Sequence, residues 1–229
     1  MAFYPGGKKR LGRELAEVIT EISSAYNVKG YCEPFCGMLG VYRHIPESFR
    51  ECGINRVKFL AGDQNKYVIK LLEGVQNGWK PPSQQCTKKE YDRYKENNSS
   101  SLTSIFYGFA CSCRGDFRSG YFDKNNCSIQ SEDMVEIGSM LQDVRFSAGS
   151  YDQFSNVKQF VLYLDPPYRD TKNNYYEKDQ RNSHFDYDEF IEWVREMAKD
   201  NLIFISEYTK PCREAKLVWE HGKEKLYMM

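Results

Sequence analysis

The apolar run Phe160-Val161-Leu162-Tyr163-Leu164 passes directly into Asp165-Pro166-Pro167-Tyr168, and this junction narrows the possible folds more than any other stretch of the chain. Each proline locks its own φ and pushes the preceding residue out of the helical region, so the strand must stop there with its carboxylate and the Pro166 carbonyl held rigidly. Open α/β sheets bind ligands at the carboxyl ends of their strands, which is where the tetrapeptide falls.

The rest of the chain fits such a sheet. Residues 12–25 set Leu15, Val18, Ile19 and Ile22 at helical spacing, an amphipathic helix after a glycine turn. A strand then runs into Glu33-Pro34-Phe35, a second helix follows Gly37 and Gly40, and Val57-Lys58-Phe59-Leu60-Ala61 is a short strand ending at Gly62-Asp63. Strand, glycine turn, helix, strand and acid form the first unit of an α/β nucleotide fold. Further strands are expected at Val144 to Ala148, Phe160 to Leu164 and Leu202 to Ser206, with a helix from Tyr187 to Ala198. The tail, with apolar segments on either side of His221-Gly222, reads as a closing hairpin.

Between about Gly74 and Asp143 the composition changes. Pro81-Pro82 and the polar run Asn97-Asn98-Ser99-Ser100-Ser101 lead into an aromatic and basic segment, Ile105 to Phe122. The expectation is therefore one sheet domain built from residues 1–73 and 144–229, with 74–143 inserted between its halves.

At 229 residues the chain can bury one sizeable core. Its formal net charge is zero, so contact with nucleic acid would rest on local patches: Lys8, Lys9, Arg10 and Arg13; Lys88, Lys89, Arg93 and Lys95; Arg114 with Arg118. Each run could equally be a solvated face. The eight cysteines are expected to be reduced, and neither Cys32 with Cys36 nor Cys111 with Cys113 has the spacing of a structural zinc site. No apolar run is long enough to span a bilayer and the start lacks the apolar stretch of a secretory signal, so a soluble, intracellular and cytoplasmic protein, not secreted and without a membrane partner, is expected.

Two fixed acceptors beside an aromatic ring suit one kind of substrate. An exocyclic amine on a nucleobase has two N–H donors and a lone pair delocalised into its ring. It becomes nucleophilic when both donors are held. Asp165 and Pro166 can hold them, and Tyr168 offers a face on which an extruded base can stack. Asp63, at the end of the preceding strand unit, suits the two hydroxyls of a ribose.

Taken in order, Tyr4-Pro5-Gly6-Gly7-Lys8, Glu33-Pro34-Phe35-Cys36-Gly37, Gly62-Asp63-Gln64-Asn65, Asp165-Pro166-Pro167-Tyr168 and the run from Phe185-Asp186-Tyr187-Asp188-Glu189-Phe190 to Ile205-Ser206-Glu207-Tyr208 resemble the Dam-like (alpha-group) adenine-N6 DNA methyltransferases, especially the compact members of phages and other viruses. The resemblance implies a Rossmann-like methyltransferase sheet, mostly parallel with a C-terminal antiparallel hairpin, carrying an inserted, mainly helical target recognition region. It implies site-specific transfer of a methyl group from S-adenosylmethionine to the N6 amine of adenine in double-stranded DNA, leaving S-adenosylhomocysteine.

By the same resemblance, Asp165, Pro166, Pro167 and Tyr168 are catalytic, and Tyr4, Lys8, Glu33, Phe35, Gly37, Asp63, Ser150, Tyr151 and Asp165 hold the cofactor. Lys9, Arg10, Lys88, Lys89, Arg93, Arg114, Arg118 and Tyr121, with Phe122, contact DNA around a flipped adenine. A GATC-like palindrome is the recognition sequence implied, and a cognate restriction endonuclease is a candidate partner. No metal is expected, because a sulfonium leaving group is already activated. Oligomeric state is open.

One departure stands out: the family carries a second glycine two residues after the first, whereas this chain has Leu39 there and Gly40 one place later. That departure and the short recognition region motivate a catalytically inactive DNA-binding relative as one alternative. N4-cytosine methylation, which uses the same amine chemistry, is the other. Methylation of cytosine C5 is set aside, because Cys212 alone follows a proline and lies far from the tetrapeptide in sequence.

Overall fold

The computed structural model describes residues 7–169 and 185–229. Its elements are α1 (Gly12–Ser23), β1 (Gly30–Glu33), α2 (Ile45–Glu51), β2 (Lys58–Asp63), α3 (Lys66–Gln76), α4 (Lys88–Glu96), α5 (Leu102–Ala110), α6 (Cys127–Gly138), β3 (Val144–Ala148), β4 (Phe160–Leu164), α7 (Tyr187–Met197), β5 (Leu202–Glu207), β6 (Lys216–His221) and β7 (Glu224–Met228). The strands form one seven-stranded sheet in the order β3-β2-β1-β4-β5-β7-β6. Strands β1 to β5 pair in parallel, while β7 is antiparallel to both β5 and β6. This is a mostly parallel, Rossmann-like sheet with a C-terminal antiparallel hairpin, as the motifs imply.

Alternation along the central strands builds two cores. On β4, Val161 and Tyr163 face one side, while Phe160, Leu162 and Leu164 face the other. On β5 the division is Leu202 and Phe204 against Ile203 and Ile205. The second face is covered by Phe190, Ile191 and Val194 of α7. The first packs against Leu15 and Ile19 of α1, Val68, Leu71 and Leu72 of α3, and continues into Tyr91, Ile105, Phe106, Phe109, Met134 and Ile137 of α4 to α6. The segment between β2 and β3 therefore shares its core with the sheet. The sequence boundary at residue 74 falls inside α3, which runs on to Gln76.

Local chemistry explains where these helices begin. Asn65, Ser101 and Asn126 each accept a hydrogen bond from a first-turn backbone N–H, and Thr87 with Glu90 forms a capping box at α4. All eight cysteines are free thiols; the Cys111 and Cys127 sulfurs lie 3.3 Å apart at the end of α5 and the start of α6. Among the described residues no helix is long and apolar enough to cross a membrane.

A tight crossing delivers the N-terminal segment to the ligand end of the sheet. A Cβ on Gly40 would stand 2.8 Å from the Lys9 nitrogen and 2.9 Å from the Lys8 carbonyl carbon, and one on Gly12 would meet the Gly40 carbonyl oxygen at 1.9 Å. Only glycines allow the two backbones to cross so closely. Leu39 keeps the left-handed backbone, with φ +55°, at a cost of roughly 1–2 kcal/mol. Its fully buried side chain offsets that cost by about 2 kcal/mol. The departure at Leu39 thus keeps the glycine-like turn, and Gly40 serves chain crossing.

Candidate active site

Parallel register aligns the carboxyl ends of the strands. Glu33 is level with Ala61 on the neighbouring β2, and Cys32 pairs with both Leu60 and Leu162. Glu33, Asp63, Asp165 and Glu207 are consequently gathered at one edge.

Asp165 follows β4 and is held by Lys8, whose Nζ lies 2.9 Å from Asp165 Oδ1 and 3.5 Å from Glu224 Oε2. Burial raises the Asp165 pKa above the ordinary carboxylate value, and Lys8 opposes that rise. For Lys8, burial pulls the pKa down, but Asp165 and Glu224 outweigh it and the ammonium is held above its usual range. The same ammonium sits 4.8 Å from the centroid of the Tyr168 ring. Tyr168 is 8% exposed, donates its hydroxyl hydrogen to Glu224 Oε2 at 2.7 Å, and meets Tyr208 edge-on at 4.5 Å. Burial, then the charge of Asp165, pushes the Tyr168 phenol well up, so it stays a donor. Pro166 is buried and Pro167 half-buried beside it.

Glu33 is buried and accepts the Tyr31 hydroxyl at 2.7 Å. Burial carries its pKa from 4.5 to about 8, so it is mostly protonated near neutrality. Asp63 accepts the Gly37 N–H at 3.0 Å and the Asn65 N–H at 2.8 Å, which ties the glycine turn to the end of β2. Burial lifts its pKa to about 6 against those two bonds. Glu207 accepts the Tyr208 N–H at 2.7 Å, the Arg169 N–H at 3.1 Å and the Tyr187 hydroxyl at 3.2 Å. It thereby ties the end of β5 to the chain leaving the tetrapeptide.

Beside Glu33 and Asp63 opens a cleft of about 170 Å³. Pro34, Phe35, Gln64, Gly149, Ser150 and Tyr151 line it, and Asp152, Asp186 and Glu189 stand at its wall. Phe35 stacks on Tyr151 at 5.5 Å, with Phe185 and Phe190 edge-on to it. Flat apolar walls with carboxylates suit a purine nucleoside bearing hydroxyl and amine donors, and the excess of acid suits a cationic ligand. Among the described residues no cluster of three or more His, Cys, Asp or Glu side chains is placed to hold a metal ion.

The residues named from sequence thus fall into distinct places. Phe35, Ser150 and Tyr151 line the cleft, Glu33 and Asp63 directly precede its lining residues Pro34 and Gln64, Gly37 is bonded to Asp63, and Lys8 sits on Asp165. Tyr4 lies outside the described residues. Glu224, Glu207, Tyr208 and Tyr31 complete the site without having been singled out for it. Glu207-Tyr208 belonged to a recognised run, while nothing in the sequence around Glu224 marks it.

The basic residues divide more sharply. Arg10, Lys89, Arg93 and Arg114 are exposed. Lys9 pairs with Asp133 at 2.5 Å, where Arg43 also binds, and Lys88 pairs with Asp92 at 2.6 Å one helical turn on. Arg118, expected at DNA, is a correction: it is 9% exposed, and its guanidinium donates to Asn98 Oδ1 at 2.8 Å, Ser104 Oγ at 3.0 Å and the Ser99 carbonyl. It braces the loop between α4 and α5. Tyr121 is half-buried against Tyr91 and donates its hydroxyl hydrogen to the Cys86 carbonyl at 2.8 Å, with Phe122 half-buried next to it.

Among solved structures, the chain is similar to SMU.472, described as a methyltransferase and complexed with SAH, at 10% identity and a TM-score of 0.47, covering 99% of this chain and 55% of that one. The chain thus spans little more than half the length of that relative. It is also similar to the rRNA methyltransferase aviRa from Streptomyces viridochromogenes, at 10% identity and a TM-score of 0.38, covering 93% of this chain and 82% of the other. No curated protein sequence matches it. The profile of the D12 class N6 adenine-specific DNA methyltransferases matches residues 95–220, from within α4 to β6. That match takes in Asp165-Pro166-Pro167-Tyr168 and more than half of the chain, and the protein therefore belongs to the D12 class N6 adenine-specific DNA methyltransferase family.

Proposed function

We propose that the protein transfers the methyl group of S-adenosylmethionine to the N6 amine of adenine in double-stranded DNA. The observation that carries this reading is the buried ion pair between Asp165 and Lys8 at the carboxyl end of β4, beside Tyr168, in a chain of this family. The cofactor supplies an electrophilic methyl carried on positively charged sulfur. Asp165 and the Pro166 carbonyl accept the two N–H groups of the amine and free its lone pair. Lys8 opposes the rise that burial gives the Asp165 pKa and so favours its ionised, accepting form. Tyr168 offers the aromatic surface for the flipped base, and positioning together with the negative charge around Asp165 stabilises the positive charge that develops on nitrogen. The cleft lined by Phe35 and Tyr151 takes the cofactor's adenine, with Asp63 and Glu33, at the adjoining strand ends, toward its ribose and cationic end.

The finer reading is a Dam-like alpha-group enzyme resembling compact viral members and acting within the cell. Residues 74–143 serve as its target recognition region, with exposed Arg10, Lys89, Arg93 and Arg114 on phosphates or base edges. A GATC-like palindrome is the first site to test and a cognate restriction endonuclease the first partner. The experiment is incubation of the protein with unmethylated DNA and S-adenosylmethionine, followed by nucleoside mass spectrometry and methylation-aware sequencing. N6-methyladenine at a defined site is the expected product. N4-methylcytosine would overturn the choice of base, and cofactor binding without methylation of DNA would overturn the substrate.

A further inference from the structure

The hairpin β6–β7 brings to Asp165 an acid that lies outside the methyltransferase motifs. Because β7 runs antiparallel to β5 with Lys225 opposite Glu207, its first residue, Glu224, arrives at the carboxyl end of the parallel strands. There one oxygen, Glu224 Oε2, accepts the Tyr168 hydroxyl at 2.7 Å and stands 3.5 Å from Lys8 Nζ. Lys8 is 2.9 Å from Asp165 Oδ1 and 4.8 Å from the Tyr168 ring centroid. One carboxylate from the far end of the chain therefore touches both Tyr168 of the tetrapeptide and Lys8, the partner of Asp165.

Two consequences follow from this arrangement. A phenol donating to a carboxylate makes a charge-assisted bond, stronger and more directional than one to a neutral acceptor, which sets the orientation of the Tyr168 ring. Sharing the ammonium between two carboxylates also leaves the trio of Lys8, Asp165 and Glu224 with one surplus negative charge. Lys8 alone would neutralise Asp165. With Glu224 present, the site keeps a negative charge facing the positive charge that moves toward the amine during transfer.

We propose that Glu224 is a positioning residue for methyl transfer, acting through Tyr168 and Lys8 to set the ring that receives the base and to keep the cluster around Asp165 net negative. This rests on the reaction assigned above. Glu224 is itself a quarter exposed at a hairpin end, so its replacement can be made without opening the core.

The test compares Glu224→Gln, which keeps an acceptor oxygen but loses the charge, with Glu224→Ala, Tyr168→Phe and the double variant Tyr168→Phe/Glu224→Gln. Single-turnover transfer of labelled methyl to unmethylated DNA should fall about tenfold in Glu224→Gln and further in Glu224→Ala, the size expected when a reacting geometry is loosened. S-adenosylmethionine affinity should stay within about twofold, because these variants leave the cleft intact. Adding Glu224→Gln to Tyr168→Phe should cost less than it does in the wild type, since groups acting through one another are not additive. A Glu224→Gln rate equal to wild type, or full additivity with Tyr168→Phe, would overturn the proposal. Thermal unfolding of the same proteins reads the contact without turnover, and the absence of coupling between positions 168 and 224 would overturn it as well. If the wild type transfers no methyl to adenine while that coupling is present, the assigned reaction has failed and the role given to Glu224 falls with it.

Discussion

The carboxyl edge of the sheet and the helical segment between β2 and β3 both carry charged residues that the sequence brings forward, yet the fold treats them differently. At the carboxyl ends of β1, β2, β4 and β5, Glu33, Asp63, Asp165 and Glu207 are each bonded to named donors, and the motif residues converge. In the helical segment between β2 and β3, the basic residues scatter. Arg118 turns inward to brace a loop, Lys88 pairs along its own helix, and Lys89, Arg93 and Arg114 face solvent. A motif whose prolines and glycines constrain the backbone predicts where its side chains go. A run of like charges does not, because its direction depends on which face the helix buries.

The sharpest way to break the comparison is Asp165→Ala. Loss of the acceptor should lower methyl transfer by on the order of a thousandfold or more, with S-adenosylmethionine binding changed only a few-fold. Retained turnover in a radiolabel assay would remove Asp165 from the centre of the mechanism. Next in size, Arg118→Ala should destabilise the fold by about 2–4 kcal/mol, since a buried guanidinium and its partners lose charge-assisted hydrogen bonds. A denaturant midpoint equal to wild type would return Arg118 to the list of DNA contacts.

Glu33 offers a test through pH. Its pKa rises from 4.5 to about 8 on folding, so between those values the folded state holds a proton that the unfolded state has lost. The stability contributed by this group is present below pH 4.5 and is lost progressively as pH rises toward 8. Glu33→Gln should therefore raise the melting temperature near pH 8, by on the order of 2 kcal/mol of stability, with the gain shrinking toward pH 5. An equal difference at both pH values would contradict a buried, protonated Glu33. Smallest of all, Arg93→Ala and Arg114→Ala should each weaken DNA binding by about 1 kcal/mol and lower the slope of log K against log salt by about one. Melting temperatures should stay unchanged, and an unaltered salt slope would place DNA elsewhere on the surface.

Read alone, the sequence determined the strands, the order of acid-bearing turns and the rigid Asp165-Pro166-Pro167-Tyr168 junction. Those features are local: a run of apolar residues, a proline pair or a left-handed turn constrains the chain within a few residues of itself. Leu39 shows the limit of that reading, because only the packed core reveals that its side chain sustains the turn the missing glycine would have made. Tertiary structure alone decided which charges meet. Lys8, read as a cofactor residue, crosses over Gly40 to reach Asp165, and Glu224 arrives at the same point because β7 runs antiparallel to β5. Neither encounter has a spacing in the sequence, since each depends on the order and direction in which distant strands enter one sheet.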